Sequence, residues 1–241
     1  MIGIIGALDI EVQGLIANMK DPKETVISTI AFVSGTIEGV PCVVARCGIG
    51  KVNAALCAQT MILSFHPCLI INTGIAGGTS DKTRIGTLVT ADRLVQHDMD
   101  TTILGDEVGT IFLAQEQRIY FPCCEELNRR LTEAAQEDGI TNLVCGTIAT
   151  GDRFIGSFED RRTLFERFGA VACEMEGGSI AQVCFINGVP FTVLRSISDD
   201  SSGDSGVEYA TFSRSAAQMA VRLLMTFLDR LDPEDPLLSR P

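Results

Sequence analysis

The chain has 241 residues, 46% of them hydrophobic and 21% charged, which suits one sizeable α/β core and is short for two. A formal net charge of -12 excludes nucleic acid as a partner, because its phosphates would be repelled. Nine cysteines without a CxxC pair, and two histidines without ligand spacing, offer neither a disulfide framework nor a zinc site, so a reducing, cytoplasmic setting is expected.

In chain order, a strand is predicted over 2–7 and a helix over 9–19, with acids at Asp9 and Glu11 where an ordinary signal peptide would carry a basic leader. Strands follow at 28–33 and 41–46, then a helix at 51–64 and a strand at 68–73. Residues Val52 to Ser80 contain no Asp, Glu, Lys or Arg and could mimic a membrane span. The break SFHPC at 64–68 and the polar Asn72-Thr73 pair divide that stretch into a helix and a buried strand instead, so no membrane partner is expected. Further strands are predicted at 86–95, 143–149, 170–175 and 190–197, with helices at 125–138, 159–167, 177–187 and 208–230. This alternation is the pattern of a mostly parallel or mixed sheet covered by helices, and eight or so strands suggest a large, partly closed one. One domain is expected over 1–230. The tail 231–241, with three prolines and no periodicity, is expected to be loosely ordered.

Six polar or glycine-rich segments follow strand ends, where open α/β sheets place ligands: ALDIEV (7–12), CGIGKV (47–52), NTGIAGG (72–78), TGDRFI (150–155), CEMEGG (173–178) and SISDDSSGD (196–204). GIGK is not a phosphate loop, since Ala45 holds the first glycine position and Val52 follows Lys51. GIIGAL does not fit GxGxxG either, so neither a nucleoside triphosphate nor a dinucleotide cofactor is expected, and no cofactor or metal is assigned. NTGIAGG could bring backbone N–H groups to a ligand, or simply make a tight turn out of a strand.

The acids are more telling. Glu11 sits in the first turn after a buried strand, and Asp199 ends the run FTVLRSIS. Glu174 and Glu176 flank Met175, so strand alternation would put both on one face. Any one of these could merely cap a helix. Four at the ends of separate elements, with no histidine nearby for a Ser-His-Asp or Cys-His arrangement, point to carboxylate acid/base chemistry.

GIIGALDIEV, SGTIEGV (34–40), CGIGKVNAA, IINTGIAGG, HDMD (97–100), TGDRFI, CEMEGGSIAQVC and LRSISDDS occur in the order and with the spacing of one family. The chain resembles the 5'-methylthioadenosine/S-adenosylhomocysteine nucleosidases across nearly the whole domain. The resemblance implies a three-layer α/β/α sandwich with a mixed, twisted sheet, a homodimer, and a nucleoside substrate. It also implies roles. Glu11 matches the base that activates water, and Asp199 the acid that delivers a proton toward N7 of adenine, with Ser198 as support. Glu174, Met175, Glu176 and Arg195 match the ribose end, while Phe154 and Ile155 match the adenine wall. Ile49 and Tyr209 match apolar contacts to the 5'-substituent, and Ile75, Ala76 and Gly77 the glycine-rich loop beneath the nucleoside. Leu104 and Phe112 match a loop that crosses to close the partner's pocket.

The chemistry agrees with these roles, because glycosidic cleavage leaves positive charge on the sugar and negative charge on the base. A carboxylate near the first and an acid near the second lower that barrier. Three positions depart from the family pattern and bear on the 5'-group: Ile75 in place of serine, Tyr209 in place of phenylalanine, and Leu104 in place of an aromatic. The nearest alternatives are futalosine hydrolysis and another purine nucleosidase. Related phosphorylases carry arginines where this chain has Asn72 and the Asp9-Ile10-Glu11 turn, so the phosphate nucleophile would lack its partners. A noncatalytic nucleoside-binding protein would be marked by loss of Glu11 or Asp199, and both are present.

Overall fold

Short apolar runs alternate with longer stretches of helical spacing, and the chain folds accordingly. The computed structural model describes residues 1–200, 205–232 and 234–238; the end of the 196–204 segment, at 201–204, lies outside the described residues. The first half forms β1 (Ile2–Gly6), α1 (Asp9–Ala17), β2 (Lys20–Ile27), β3 (Ile30–Ile37), β4 (Val40–Arg46), α2 (Lys51–Phe65), β5 (Leu69–Gly78) and β6 (Leu88–Gln96). Next come β7 (Ile111–Phe112), β8 (Gln117–Arg118), β9 (Tyr120–Pro122), α3 (Glu125–Glu137) and β10 (Leu143–Thr150). The chain continues through α4 (Phe158–Phe168), β11 (Ala170–Glu174), α5 (Gly177–Asn187), β12 (Phe191–Asp199) and α6 (Ser205–Asp229).

The main sheet runs β11-β10-β6-β12-β5-β1-β4-β3-β2, with β9 added against β6. It is mixed: β1 lies parallel to β4 and β5, and β5 parallel to β12, whereas β12–β6, β3–β4 and β2–β3 are antiparallel. The end of β5 also pairs with β11, so that β5, β12, β6, β10 and β11 close on themselves while β1, β4, β3 and β2 extend outward. Strand alternation feeds two cores. Ile5, Val43, Ala45 and Ile70 pack toward α2 and α5, whereas Ile2, Ile4, Val44 and Ile71 pack toward α1, α3 and α6. The architecture is the expected α/β sandwich, helices covering both faces of the sheet.

Two local differences from the sequence reading have clear causes. β2 was not expected because KDPKETVI carries a proline and four charged residues; it is a solvent-exposed edge strand, the place where such residues are tolerated. The NTGIAGG segment is not a turn or loop but the second half of β5, whose ten residues are all buried. Of the tail, 233 and 239–241 lie outside the described residues; in the rest, Leu231 is buried and Asp235 pairs with Arg130 of α3. Among the described residues no helix is long and apolar enough to cross a membrane.

Candidate active site

A cavity of about 430 Å³ opens where β1, β5, β11 and β12 end. Its floor is the final stretch of strand β5, with Ile75, Ala76 and Gly77. Phe154, Ile155 and Tyr209 wall one end, Ile49 stands at the mouth, and Glu11, Glu174, Met175, Glu176, Ser198 and Asp199 are also in the lining. Leu104 and Phe112 lie elsewhere on the chain's surface, exposed.

Glu11 reaches the cavity because α1 begins just after β1. Its Oε2 accepts hydrogen bonds from the Ala7 and Leu8 amides (2.7 and 2.9 Å), and its Oε1 from the Ile75 amide (2.9 Å). The carboxyl is therefore fixed in orientation. Burial raises its affinity for a proton above that of an ordinary glutamate, against the opposing pull of Arg195 and the three amides. A base poised in this way is stronger than a solvated carboxylate.

Arg195, wholly buried on β12, is the cation that organises the acids. Its Nη2 donates to Asn72 Oδ1 (2.7 Å) and pairs with Glu174, and Glu176 Oε2 lies 3.7 Å away. It stands in register with Gly74 of β5, where a methyl group would collide with Arg195 Nη1 and lie 2.6 Å from Glu11 Oε1. The glycine is needed for space, since its φ is not positive. Gly77 makes similar room: a Cβ there would lie 3.0 Å from Arg161 Nη2 and 3.2 Å from Asp199 Oδ2.

The two glutamates around Met175 do not share a face by strand alternation. β11 ends at Glu174, and Glu176 stands at the N-cap position of α5 without capping it through its side chain; the turn between them brings both acids onto Arg195. Glu174 is fully engaged, by the Thr150 hydroxyl, the Glu176 and Gly177 amides (3.0 and 2.7 Å) and Arg195. Burial alone would raise its pKa, but Arg195 and these donors hold it below the usual carboxylate range. Among the described residues, Glu176 has only the Gly50 amide at 2.9 Å and the more distant Arg195. Burial, and the negative charge of Glu174, push it up to about 7. One guanidinium thus serves three acids, and Glu176 is the one left under-compensated, free to answer a cation in the cavity.

The Gly50 amide is itself held in place. Lys51 Nζ pairs with Asp98 Oδ1 at 2.6 Å, Asp98 Oδ2 accepts from the Asp152 amide at 2.9 Å, and Asp152 Oδ1 accepts from the Lys51 amide at 2.8 Å. This clamp joins three of the segments singled out in the sequence, CGIGKV, HDMD and TGDRFI, although sequence reasoning gave none of its side chains a role. At the other end, Asp199 Oδ1 accepts from Ser198 Oγ (2.7 Å) and its Oδ2 pairs with buried Arg161. Arg161 was also missed; its one signal was a charge on the α4 face that carries Leu164 and Phe168. Phe154 and Tyr209 meet edge to face, with centroids 5.7 Å apart and planes at 87°. Phe154 thereby lends the cavity wall an aromatic surface against which a flat ring can pack.

An apolar slot with an acid at its closed end, a rigid base, and an under-compensated carboxylate beside a buried arginine can split a bond whose halves part with opposite charge. This fold and site define a member of the Phosphorylase superfamily, whose sequence profile matches residues 1–229. A 5'-methylthioadenosine/S-adenosylhomocysteine nucleosidase of Shewanella sp. (strain MR-7) is 39% identical over 236 residues, 96% of this chain and 98% of that protein. The Helicobacter pylori 5'-methylthioadenosine/S-adenosyl homocysteine nucleosidase, solved with a pyrrolidinol ligand, superposes with a TM-score of 0.88 at 34% identity, covering 95% of this chain and 98% of the other. A futalosine hydrolase mutant of H. pylori strain 26695 superposes with a TM-score of 0.89, also at 34% identity, covering 95% and 99% of the two chains. Within the superfamily, the chain belongs to the 5'-methylthioadenosine/S-adenosylhomocysteine nucleosidases.

Proposed function

We propose that this enzyme hydrolyses the N-glycosidic bond of 5'-methylthioadenosine and S-adenosylhomocysteine, and of 5'-deoxyadenosine, releasing adenine and the 5-substituted ribose. The observation that carries the reading is Glu11, locked by three backbone amides beside Arg195 and raised in basicity by burial. Water gives its proton to Glu11 as its oxygen bonds to C1'. The electron pair of the C1'–N9 bond passes to adenine, and Asp199 delivers a proton to N7. Glu176, ionised as the sugar becomes cationic, stabilises that charge and accepts hydrogen bonds from the ribose hydroxyls. Adenine lies in the slot of Phe154 and Ile155, and the 5'-group extends past Ile49 toward Tyr209. No cofactor enters these steps.

Hydrolysis is favoured over phosphorolysis because Asn72, at the place where related phosphorylases carry an arginine, is buried and bonded to the Ile5 carbonyl and Arg195. A dimer in which the partner completes the 5'-end is supported by exposed apolar side chains on one stretch, Ile103, Leu104 and Phe112, and on α2 by Val52. Nine cysteines, all free, support a reducing cytoplasm, and the proposed substrates are consistent with a part in methionine salvage.

The test is base release from methylthioadenosine, S-adenosylhomocysteine, 5'-deoxyadenosine and futalosine, each with and without phosphate. Expected are adenine from the first three, no effect of phosphate, and a loss of about 100-fold or more in Glu11→Gln and Asp199→Asn with the fold retained. Ribose 1-phosphate as the main product, or futalosine as the preferred substrate, overturns the assignment.

A further inference from the structure

Arg161 is a buried charge to which the reaction above gives no part. It is 1% exposed and lies on the inward face of α4, where an apolar residue would pack. Burying a guanidinium is costly unless its donors are met, and here every partner belongs to the base end of the cavity. Nε donates to the Ile155 carbonyl (3.1 Å), and Nη1 to the carbonyls of Gly78 (2.9 Å) and Asp199 (3.1 Å). Nη2 donates to Ser205 Oγ (3.1 Å) and pairs with Asp199 Oδ2. Ser205 Oγ in turn donates to the Gly156 carbonyl at 2.9 Å. One side chain therefore ties together the adenine-wall loop, the end of β5, the end of β12 and the start of α6, the helix that carries Tyr209.

We infer that Arg161 is the positioning residue for Asp199, aiming its carboxyl at the leaving base and holding the negative charge that proton delivery leaves behind. This rests on the acid role proposed for Asp199. Four of the five partners of Arg161 are uncharged and independent of the Asp199 side chain. The guanidinium consequently stays in place whether Asp199 faces it or turns toward a ligand. Atoms and charge balance: Asp199 takes up a proton as it turns from Arg161 toward the bound nucleoside, that proton passes to N7 as the C1'–N9 electrons go to adenine, and the resulting carboxylate returns to its pair with Arg161. Such a fixed cation acts most strongly where water is excluded, and Asp199 is only 2% exposed. Ser198, bonded to the other oxygen, completes the aim from the opposite side.

A double-mutant cycle on the full chain tests this, using Arg161→Met, Arg161→Lys, Asp199→Asn and the combination of Arg161→Met with Asp199→Asn. On methylthioadenosine, Arg161→Met is expected to lower kcat by roughly 10- to 100-fold with KM changed by less than about 3-fold, and Arg161→Lys to recover part of the loss. In the Asp199→Asn background the Met substitution is expected to cost nothing further, because both act on one step. A nitrophenyl riboside, whose leaving group departs without a proton, is expected to be spared in both single variants. Additive losses, or equal losses on both substrates, make Arg161 a purely structural residue and overturn the inference. If Asp199→Asn retains adenine release, the acid role itself fails; if it loses activity while Arg161→Met does not, only the role of Arg161 fails. Should Arg161→Met not fold, Arg161→Lys in the same cycle decides, since it keeps the charge.

Discussion

Replacing Glu176 with glutamine will make the enzyme more stable and less active, and the stability gain will depend on pH in a defined way. Glu176 is buried among acids with one shared arginine, and its pKa is pushed up to about 7 from the ordinary 4.5. A carboxyl whose folded pKa is raised binds its proton more tightly when folded. Its favourable contribution is therefore complete below about pH 4.5 and is lost as pH rises through about 7. The difference between 7 and 4.5, at about 1.4 kcal/mol per pH unit, gives a cost of about 3 to 4 kcal/mol to the wild type above neutrality. Little screening applies, since the residue is 6% exposed. Glutamine keeps an acceptor for the Gly50 amide but carries no charge. Urea unfolding of both proteins should show nearly equal stability at about pH 4.5 and an advantage of about 3 kcal/mol for the variant at about pH 8, roughly 6–12 °C in Tm. A difference that does not change with pH, or a variant weaker than wild type at pH 8, would refute the claim that Glu176 is under-compensated.

The same group predicts kinetics: if ionised Glu176 stabilises the sugar cation, kcat/KM for methylthioadenosine will rise with pH through about 7, and this rise will be absent from the residual activity of Glu176→Gln. Gly74→Ala places a methyl against Arg195 and Glu11; we expect a loss of about 1–3 kcal/mol in thermal or urea unfolding and a fall of at least about 10-fold in kcat. Phe112→Asp will weaken self-association in sedimentation and raise KM for substrates with apolar 5'-groups, whereas an active monomer with unchanged KM shows that one chain builds the whole pocket.

Much of this was legible because the signals were local. Apolar periodicity marked the central strands and all six α-helices, and acids at element ends marked Glu11, Glu176 and Asp199. What escaped depended on contacts between distant segments. The glycines of NTGIAGG looked like turn punctuation, but Gly74 and Gly77 leave room for side chains arriving from α1, β12 and α4, which no local pattern reveals. The pairing of Glu174 with Arg195 across 21 residues, and of Arg161 with Asp199 across 38, separates engaged charges from available ones only after folding. The edge strand β2 owes its existence to hydrogen bonds from β3 rather than to its own composition.

The complete burial of β5, clasped in parallel between β1 and β12, divides the enzyme into parts that exchange with solvent on different timescales. Amide protons along its interior will exchange with deuterium only when the whole molecule unfolds. The floor cannot breathe to admit a nucleoside. By contrast, Ile49 at the mouth and Phe154 in the wall are about half exposed, at 51% and 49%. The half-exposed wall and mouth are thus set apart from the buried floor that keeps the acids and their arginine in register.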